Sequence, residues 1–219
     1  RVNVEILTVL GEEIIARKLK TRVIAVSTGA VYDASQPMPL TENSRLIESQ
    51  ASPYALSKLK MEKAARTLMA KGLECVIARP FNHIGPSQEA GFLLPDLYRK
   101  INSAKSTGKP VLVGDLTTRR DYTDVRDVAK AYADLVMADN LARNLYNICS
   151  GKSVSGEEIL DLLSISLGIA RVKTERDPAL VRPDDPREIY GSFDRLGKET
   201  RWRPEIRLED TVVDFLKAV

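Results

Sequence analysis

Tyr54 and Lys58 are the ends of the run Tyr54-Ala55-Leu56-Ser57-Lys58. A four-residue step puts both side chains on one helix face, one turn apart. An ammonium at that distance stabilises a phenolate and lets the phenol exchange a proton near neutral pH. The pair alone is also what a half-buried Tyr beside a solvated Lys would look like. Its neighbours add weight. Upstream, Val26-Ser27-Thr28-Gly29-Ala30-Val31-Tyr32 reads as a strand that ends in hydroxyl residues, and downstream Ala78-Arg79-Pro80-Phe81-Asn82 ends the next strand. In an open parallel sheet, ligands bind beyond the carboxyl ends of the strands. A strand-end hydroxyl, the Tyr–Lys pair and Asn82 therefore converge on one crevice.

The elements that must position these residues can be read from periodicity. Residues 4–18 carry apolar side chains at helical spacing (Val4, Leu7, Leu10, Ile14, Ile15). Residues 22–27 and 74–79 are short apolar runs of the kind seen in buried parallel strands. Residues 33–53 read as a loop, and Pro53 suits the first turn of a helix that runs to about Lys71 and stops at Gly72. Further on, the pattern predicts a loop over 84–96, a helix over 97–106, a strand over 111–113, a helix over 125–137 and a strand over 144–149. A helix over 155–167 opens on a capping box of Ser155 and Glu158. Residues 172–192 read as irregular with an extended piece near 172–174, and helices over 193–200 and 208–218 close the chain. Strand, helix and strand in alternation imply βαβ crossovers and an α/β fold.

Composition sets outer limits. Of 219 residues, 43% are hydrophobic and 29% charged, ordinary values for a globular protein. The net charge of +3 is small and the basic residues are interspersed with acidic ones, unlike the concentrated stripe of a nucleic-acid binder. No apolar stretch approaches membrane-spanning length, so neither nucleic acid nor membrane is an expected partner. Cys75 and Cys149 each sit in an apolar run and read as buried free thiols of a reducing compartment, which points to the cytoplasm. With His83 the only histidine, no structural zinc or other metal site is expected. No G-x-G-x-x-G turn occurs, and the chain opens on Arg1 directly into a helical pattern. A fragment lacking an upstream βαβαβ block of roughly 60–90 residues is the expectation, at about 30 residues per unit.

The order S-T-x-x-V-Y, Y-A-x-S-K and R-P-F-N-H-I-G-P resembles the extended short-chain dehydrogenase/reductases that act on nucleotide sugars, and the likeness runs through nearly the whole chain. It implies a Rossmann-like doubly wound parallel sheet with a smaller C-terminal α/β substrate lobe. Residues 1–83 would be the remainder of the dinucleotide-binding domain and 84–219 mostly the substrate lobe, with 111–150 partly returning to the sheet. By this resemblance Thr28 polarises the sugar hydroxyl or carbonyl and Tyr54 donates or accepts the proton. Lys58 tunes Tyr54 and binds the nicotinamide ribose, and Asn3 completes the tetrad. Ser27 is the alternative hydroxyl, but the spacing back from Val31-Tyr32 favours Thr28. Pro80, Phe81 and Asn82 would border the cofactor, and Asn82 would also touch the diphosphate side of the substrate. Arg120 and Tyr122, in Arg120-Asp121-Tyr122-Thr123-Asp124-Val125-Arg126-Asp127, fall where the family meets the sugar diphosphate. A salt-bridged strand-to-helix turn, with Asp124 or Asp127 near the helix start, accounts for that run as well. Arg182 and Asp185 match a late segment whose Arg meets phosphate and whose Asp meets the nucleotide ribose. Leu93, in Gly91-Phe92-Leu93-Leu94-Pro95-Asp96, falls on the loop that covers substrate. His83 reads as a hydrogen-bonded structural histidine rather than a base.

Within the family, dehydratases carry an acidic residue just after the strand-end Thr. Gly29 and Ala30 stand there, so 4,6-dehydration is disfavoured. The runs R-P-F-N-H-I-G-P, G-F-L-L-P-D and T-T-R-R-D-Y-T-D-V-R-D-V most resemble the reductases of GDP-4-keto-6-deoxy-D-mannose. The implied reaction is hydride transfer at sugar C4 from NADH or NADPH, which the residues present do not distinguish. A sugar-nucleotide 4-epimerase and a non-enzymatic binding or regulatory relative are the alternatives. The resemblance also implies a homodimer built as a four-helix bundle from the helices over 4–18 and 54–71.

Overall fold

The computed structural model describes residues 2–48, 52–170, 172–182 and 184–219. Residues 49–51 of the predicted loop, and Pro183 beside Arg182, lie outside the described residues.

Helix α1 (Val2–Ala16) leads to strand β1 (Val23–Val26) and a single 3-10 turn over Gly29–Val31. Helix α2 (Pro53–Ala70) then leads to β2 (Cys75–Pro80). The Ser52 side chain caps α2 by accepting from the Ala55 N–H at 3.1 Å, and Pro53 fills the position where a missing N–H costs nothing. At the other end Gly72 takes φ +101°, a left-handed turn that suits glycine. All six residues of β2 are buried, as a central parallel strand with helices on both faces requires.

Beyond β2 come β3 (Asn82–Ile84), α3 (Leu93–Thr107), β4 (Val111–Val113), β5 (Arg119–Arg120), β6 (Tyr122–Asp124) and α4 (Val125–Met137). They are followed by β7 (Leu145–Ile148), β8 (Val154–Ser155), α5 (Gly156–Ser166) and β9 (Thr174–Arg176). Strand β10 (Glu188–Ile189) and helices α6 (Asp194–Thr200) and α7 (Leu208–Lys217) complete the fold.

The main sheet has the order β1-β2-β7 and is parallel throughout, with Val26 opposite Ala78 and Ala78 opposite Tyr146. Helices α1 and α2 cover one face through Leu7, Ile14, Met61, Ala65 and Leu68. Gly11 lets the two helices close up, since a Cβ there would lie 2.8 Å from a Leu68 methyl. Val128, Ala131 and Leu135 of α4, with Leu196 of α6 and Trp202, cover the other face. A separate core of α3, α5, α7 and β4 builds the second lobe around Leu97, Ile101, Ile159, Leu163 and Phe215.

Several boundaries differ from the periodicity. Helix α3 begins at Leu93, four residues before the expected start, because Pro95 sits in its first turn, where proline is tolerated. The two- and three-residue strands β3, β5, β6, β8 and β10 are too short to show an alternation. The extended piece expected near 172–174 lies at Thr174–Arg176, paired with Val111–Val113. Both hydrogen bonds of the Ser155–Glu158 capping box are present.

The run 120–127 does cap a helix. Asp124 receives the Arg126 N–H at 2.8 Å, and buried Asp127 accepts from the N–H groups of Glu205 and Ile206. Burial of Asp124 works to raise its pKa, but hydrogen bonds from Arg126 and Thr211 outweigh it and hold the carboxyl below the usual range. A depressed folded-state pKa stabilises above the unfolded value near ~3.9 and is lost as pH falls through the folded value. Asp124→Asn is therefore expected to cost about 1–3 kcal/mol at neutral pH. The denaturant midpoints of variant and parent should converge as pH drops below about 4; a gap that persists at acid pH would contradict this.

Candidate active site

Two strand ends and one helix start meet outside the carboxyl edge of the main sheet. Thr28 follows β1 with extended backbone, and its hydroxyl accepts the Ala30 N–H at 3.2 Å. Tyr54 enters from the first turn of α2 and is half exposed, at 54%. Pro80, Phe81 and Asn82 carry the end of β2 into β3. Together with Leu93 and Tyr122 these residues line one cavity of about 780 Å³.

Lys58 lies behind this wall. Its Nζ sits 5.8 Å from the Tyr54 ring centroid and donates to the Val26 carbonyl at 2.8 Å. Burial lowers its pKa. With one N–H committed, the ammonium keeps further donors for a ligand. Asn3 does not reach the cavity: its Nδ2 donates to Ser57 Oγ at 3.4 Å, bridging α1 to α2 between Tyr54 and Lys58 in sequence.

Leu93 is shared with a second cavity of about 430 Å³, which Arg182 and Asp185 line from the other side. Gly91, Phe92 and Leu93 form the partition between the two. Arg120 is tied to Asp185 at 2.6 Å, and its Nη1 donates to the Arg119 carbonyl. The two sequence motifs that carry these residues are 65 positions apart and meet only in the fold.

His83 is hydrogen-bonded, with Nδ1 3.3 Å from the Phe81 carbonyl, yet it is exposed on the cavity wall beside Asn82. Asp121 escaped the sequence reading. It is buried and accepts from the N–H groups of Ser150, Gly151 and Gly191 and from the Ser150 hydroxyl, at 2.7–3.3 Å. Burial raises its pKa in spite of these bonds. Its position between Arg120 and Tyr122 pins both of them against the 150–151 turn, and only an intervening acidic residue hinted at it. Among the described residues no group of three or more His, Cys, Asp and Glu could hold a metal ion, and no helix is long and apolar enough to cross a membrane. Both cysteines are buried and free, and burial pushes the Cys75 thiol up to about 11.

Phe81 is wedged. A Cβ on Gly29 would meet three of its ring atoms at 3.0 Å, and one on Gly191 would meet the ring at 2.6 Å and Cys149 Sγ at 3.0 Å. No side chain fits at position 29 without displacing the ring, which is the packing counterpart of the missing acid there.

A parallel α/β sheet with helices on both faces and a cavity beyond its strand ends is the Rossmann-like class. The sequence model of the NAD dependent epimerase/dehydratase family matches residues 1–149, and the chain belongs to that family. It is 35% identical over 202 residues to GDP-6-deoxy-D-mannose reductase of Pseudomonas aeruginosa, covering 90% of this chain and 65% of the relative. It is 30% identical over 213 residues to UDP-glucose 4-epimerase of Azospirillum brasilense, covering 88% and 58%. The chain thus spans less than two thirds of these curated relatives. The solved structure of RMD from Pseudomonas aeruginosa complexed with NADPH superposes with a TM-score of 0.83 at 31% identity, over 96% of this chain and 70% of that one.

The wedge predicts the outcome of Gly191→Ala. Forcing a methyl into this packing should cost about 1–3 kcal/mol in chemical denaturation. A midpoint unchanged from the parent would show that Phe81 can move freely.

Proposed function

We propose that this chain is the catalytic and substrate-binding part of an NAD(P)-dependent nucleotide-sugar oxidoreductase that acts at sugar C4, reducing a GDP-4-keto-6-deoxy sugar such as GDP-4-keto-6-deoxy-mannose. The observation that carries the reading is the joint placement of Thr28 and Tyr54 on one cavity wall, with the Lys58 ammonium one turn behind Tyr54. The similarity to a GDP-6-deoxy-D-mannose reductase supports the choice of sugar.

A nicotinamide cofactor, when bound, supplies the hydride for C4. The residues present fit its nicotinamide-ribose end: Lys58 has donors to spare at the strand edge, and Pro80 and Phe81 offer an apolar wall. In this reading Thr28 donates a hydrogen bond to the sugar carbonyl oxygen and Tyr54 delivers the proton to the same oxygen. Lys58 keeps the phenolate left on Tyr54 favourable. Asn3 steadies the helix through Ser57 rather than touching the reactants. Asn82, Tyr122, Arg120 and Arg182 would meet the diphosphate side, where a guanidinium fork suits two phosphate oxygens. Asp185 would meet the nucleotide ribose, with Arg120 exchanging part of its bond to Asp185 for phosphate. Sugar-nucleotide 4-epimerisation is a second reading, favoured by the similarity to a UDP-glucose 4-epimerase.

Dimerisation belongs to the same proposal. Val2, Ile6 and Val9 form a stripe on α1 that is more than 60% exposed, and Leu56 is exposed on adjacent α2. A second copy presenting the same pair of helices would close a four-helix bundle. Ile6→Glu is expected to turn a dimer into a monomer by light scattering; a parent that is already monomeric would end the idea.

The activity test is direct. The intact protein, given GDP-4-keto-6-deoxy-mannose, should oxidise NADPH or NADH, and Tyr54→Phe should lose about 100-fold or more in kcat. Binding of the sugar nucleotide without any oxidation would exclude the reductase and send the assay to UDP-glucose epimerisation.

A further inference from the structure

Tyr54, Lys58, Glu62 and Arg66 follow one another at four-residue steps along α2, each a helical neighbour of the next. The first two face the site. Glu62 is 3% exposed and meets Arg79 of β2, itself 1% exposed, in a forked pair: Nε to Oε1 at 2.8 Å and Nη2 to Oε2 at 2.7 Å. Ser27 donates to the same carboxylate at 2.6 Å. The Arg79 guanidinium also lies over the Tyr32 ring at 4.7 Å, and Tyr32 donates to Asn147 of β7 at 2.6 Å. Arg79 Nη1, although buried, has no hydrogen-bond partner.

The network touches the three elements that bring Thr28, Tyr54 with Lys58, and Pro80 with Phe81 to the reaction site. Ser27 immediately precedes Thr28, Arg79 immediately precedes Pro80 and Phe81, and Glu62 lies one turn beyond Lys58. Lys58 donates to Val26, so three successive residues at the end of β1 are committed: Val26 to Lys58, Ser27 to Glu62, and Thr28 to the cavity. We propose that Glu62 and Arg79 are positioning residues of this site: their buried pair locks the Tyr54–Lys58 face of α2 against the Thr28 strand end, and its mutual neutralisation leaves Lys58 as the charge that acts on Tyr54. The proposal rests on the reading of Tyr54 and Lys58 as the proton-transfer pair.

Other groups face these two. Arg66 lies 3.9 Å from Glu62 on the solvent side, and Tyr32 covers Arg79. Glu42, paired with Arg195 at 3.5 Å, accepts the Asn147 N–H. Tyr132 of α4 neighbours Tyr54, which adds to burial in pushing the Tyr132 phenol up to about 12. Among the described residues, only the Glu62–Arg79 pair joins two fully buried opposite charges beneath Tyr54, with Glu62 about 12 Å along the helix.

The test compares Glu62→Gln, Arg79→Lys and the paired apolar variant Glu62→Met with Arg79→Met, all in the intact protein. Two readouts are taken. One is the pH midpoint of the Tyr54 phenolate band, isolated by subtracting the spectrum of the matching Tyr54→Phe protein and needing no substrate. The other is the division of the turnover loss between kcat and KM. Glu62→Gln leaves the Arg79 charge uncompensated, so the midpoint should move to lower pH by about half to one unit. Its kcat should fall about 10- to 100-fold with KM for the sugar nucleotide within about twofold. The apolar pair should restore the midpoint but not kcat, because the Ser27 tether is gone, and Arg79→Lys should recover part of kcat.

A folded Glu62→Gln with parental midpoint and kcat would overturn the proposal, and so would losses divided equally between kcat and sugar-nucleotide binding. If Glu62→Gln fails to fold, Arg79→Lys and the apolar pair decide the same question. If the parent turns over neither the keto sugar nor UDP-glucose, the functional reading falls, while the spectroscopic midpoints still decide whether the pair sets the field at Tyr54.

Discussion

Arg79 and Glu62 are almost wholly removed from water, on a strand and a helix that are 17 residues apart in sequence. Desolvating two charges costs several kcal/mol per ion, and well-packed apolar residues of similar volume often serve stability as well or better. The pair is tolerable here because its geometry is a bidentate fork, its remaining acceptor capacity is taken by Ser27, and its free guanidinium face lies on an aromatic ring. What it adds is direction. A hydrophobic contact between α2 and the sheet would let the helix slide or roll by a fraction of a residue; a forked ion pair with a third ligand permits very little of either.

The strand ends depend on that register in turn. In the parallel pairing of β1 with β2, Val26 stands opposite Ala78, so Thr28 and Pro80 emerge side by side at the carboxyl edge. Phe81 is then trapped between Gly29 and Gly191, with Cys149 against the latter position. The aromatic floor of the cavity is thus held by the absence of side chains on two glycines from distant parts of the chain.

The second lobe is joined to this edge by a different device. Asp121 gathers N–H groups from the 150–151 turn and from Gly191, so the short strand pairs beside it have a common anchor. Arg120 and Tyr122, on either side, are aimed by this anchor, one towards Asp185 and the other into the larger cavity. A buried carboxylate that also accepts from the Thr123 hydroxyl, five donors in all, is a stiff joint. The residues it orients are half-buried and carry polar tips, a combination suited to meeting a charged ligand without rebuilding the backbone.

Much of this was legible in the chain itself. The Tyr54–Lys58 step, the caps of α2 and α5 and the apolar runs of β1, β2 and β7 are local patterns, and local physics of helix period, capping and strand burial suffices to read them. Order along the chain also indicated which residues lie at strand ends. The short strands β3, β5, β6 and β10 carried no signal, because two or three residues hold no period. The early start of α3 was hidden by a proline that is allowed in a first turn. Three relations existed only once the chain was folded: Glu62 with Arg79, Arg120 with Asp185, and Asp121 with Ser150, Gly151 and Gly191. Each joins groups at a separation that no local pattern encodes. Residue types and spacing determined which side chains are offered for the proposed chemistry; tertiary structure alone decided which charges are paired, and so which side chains are held by partners.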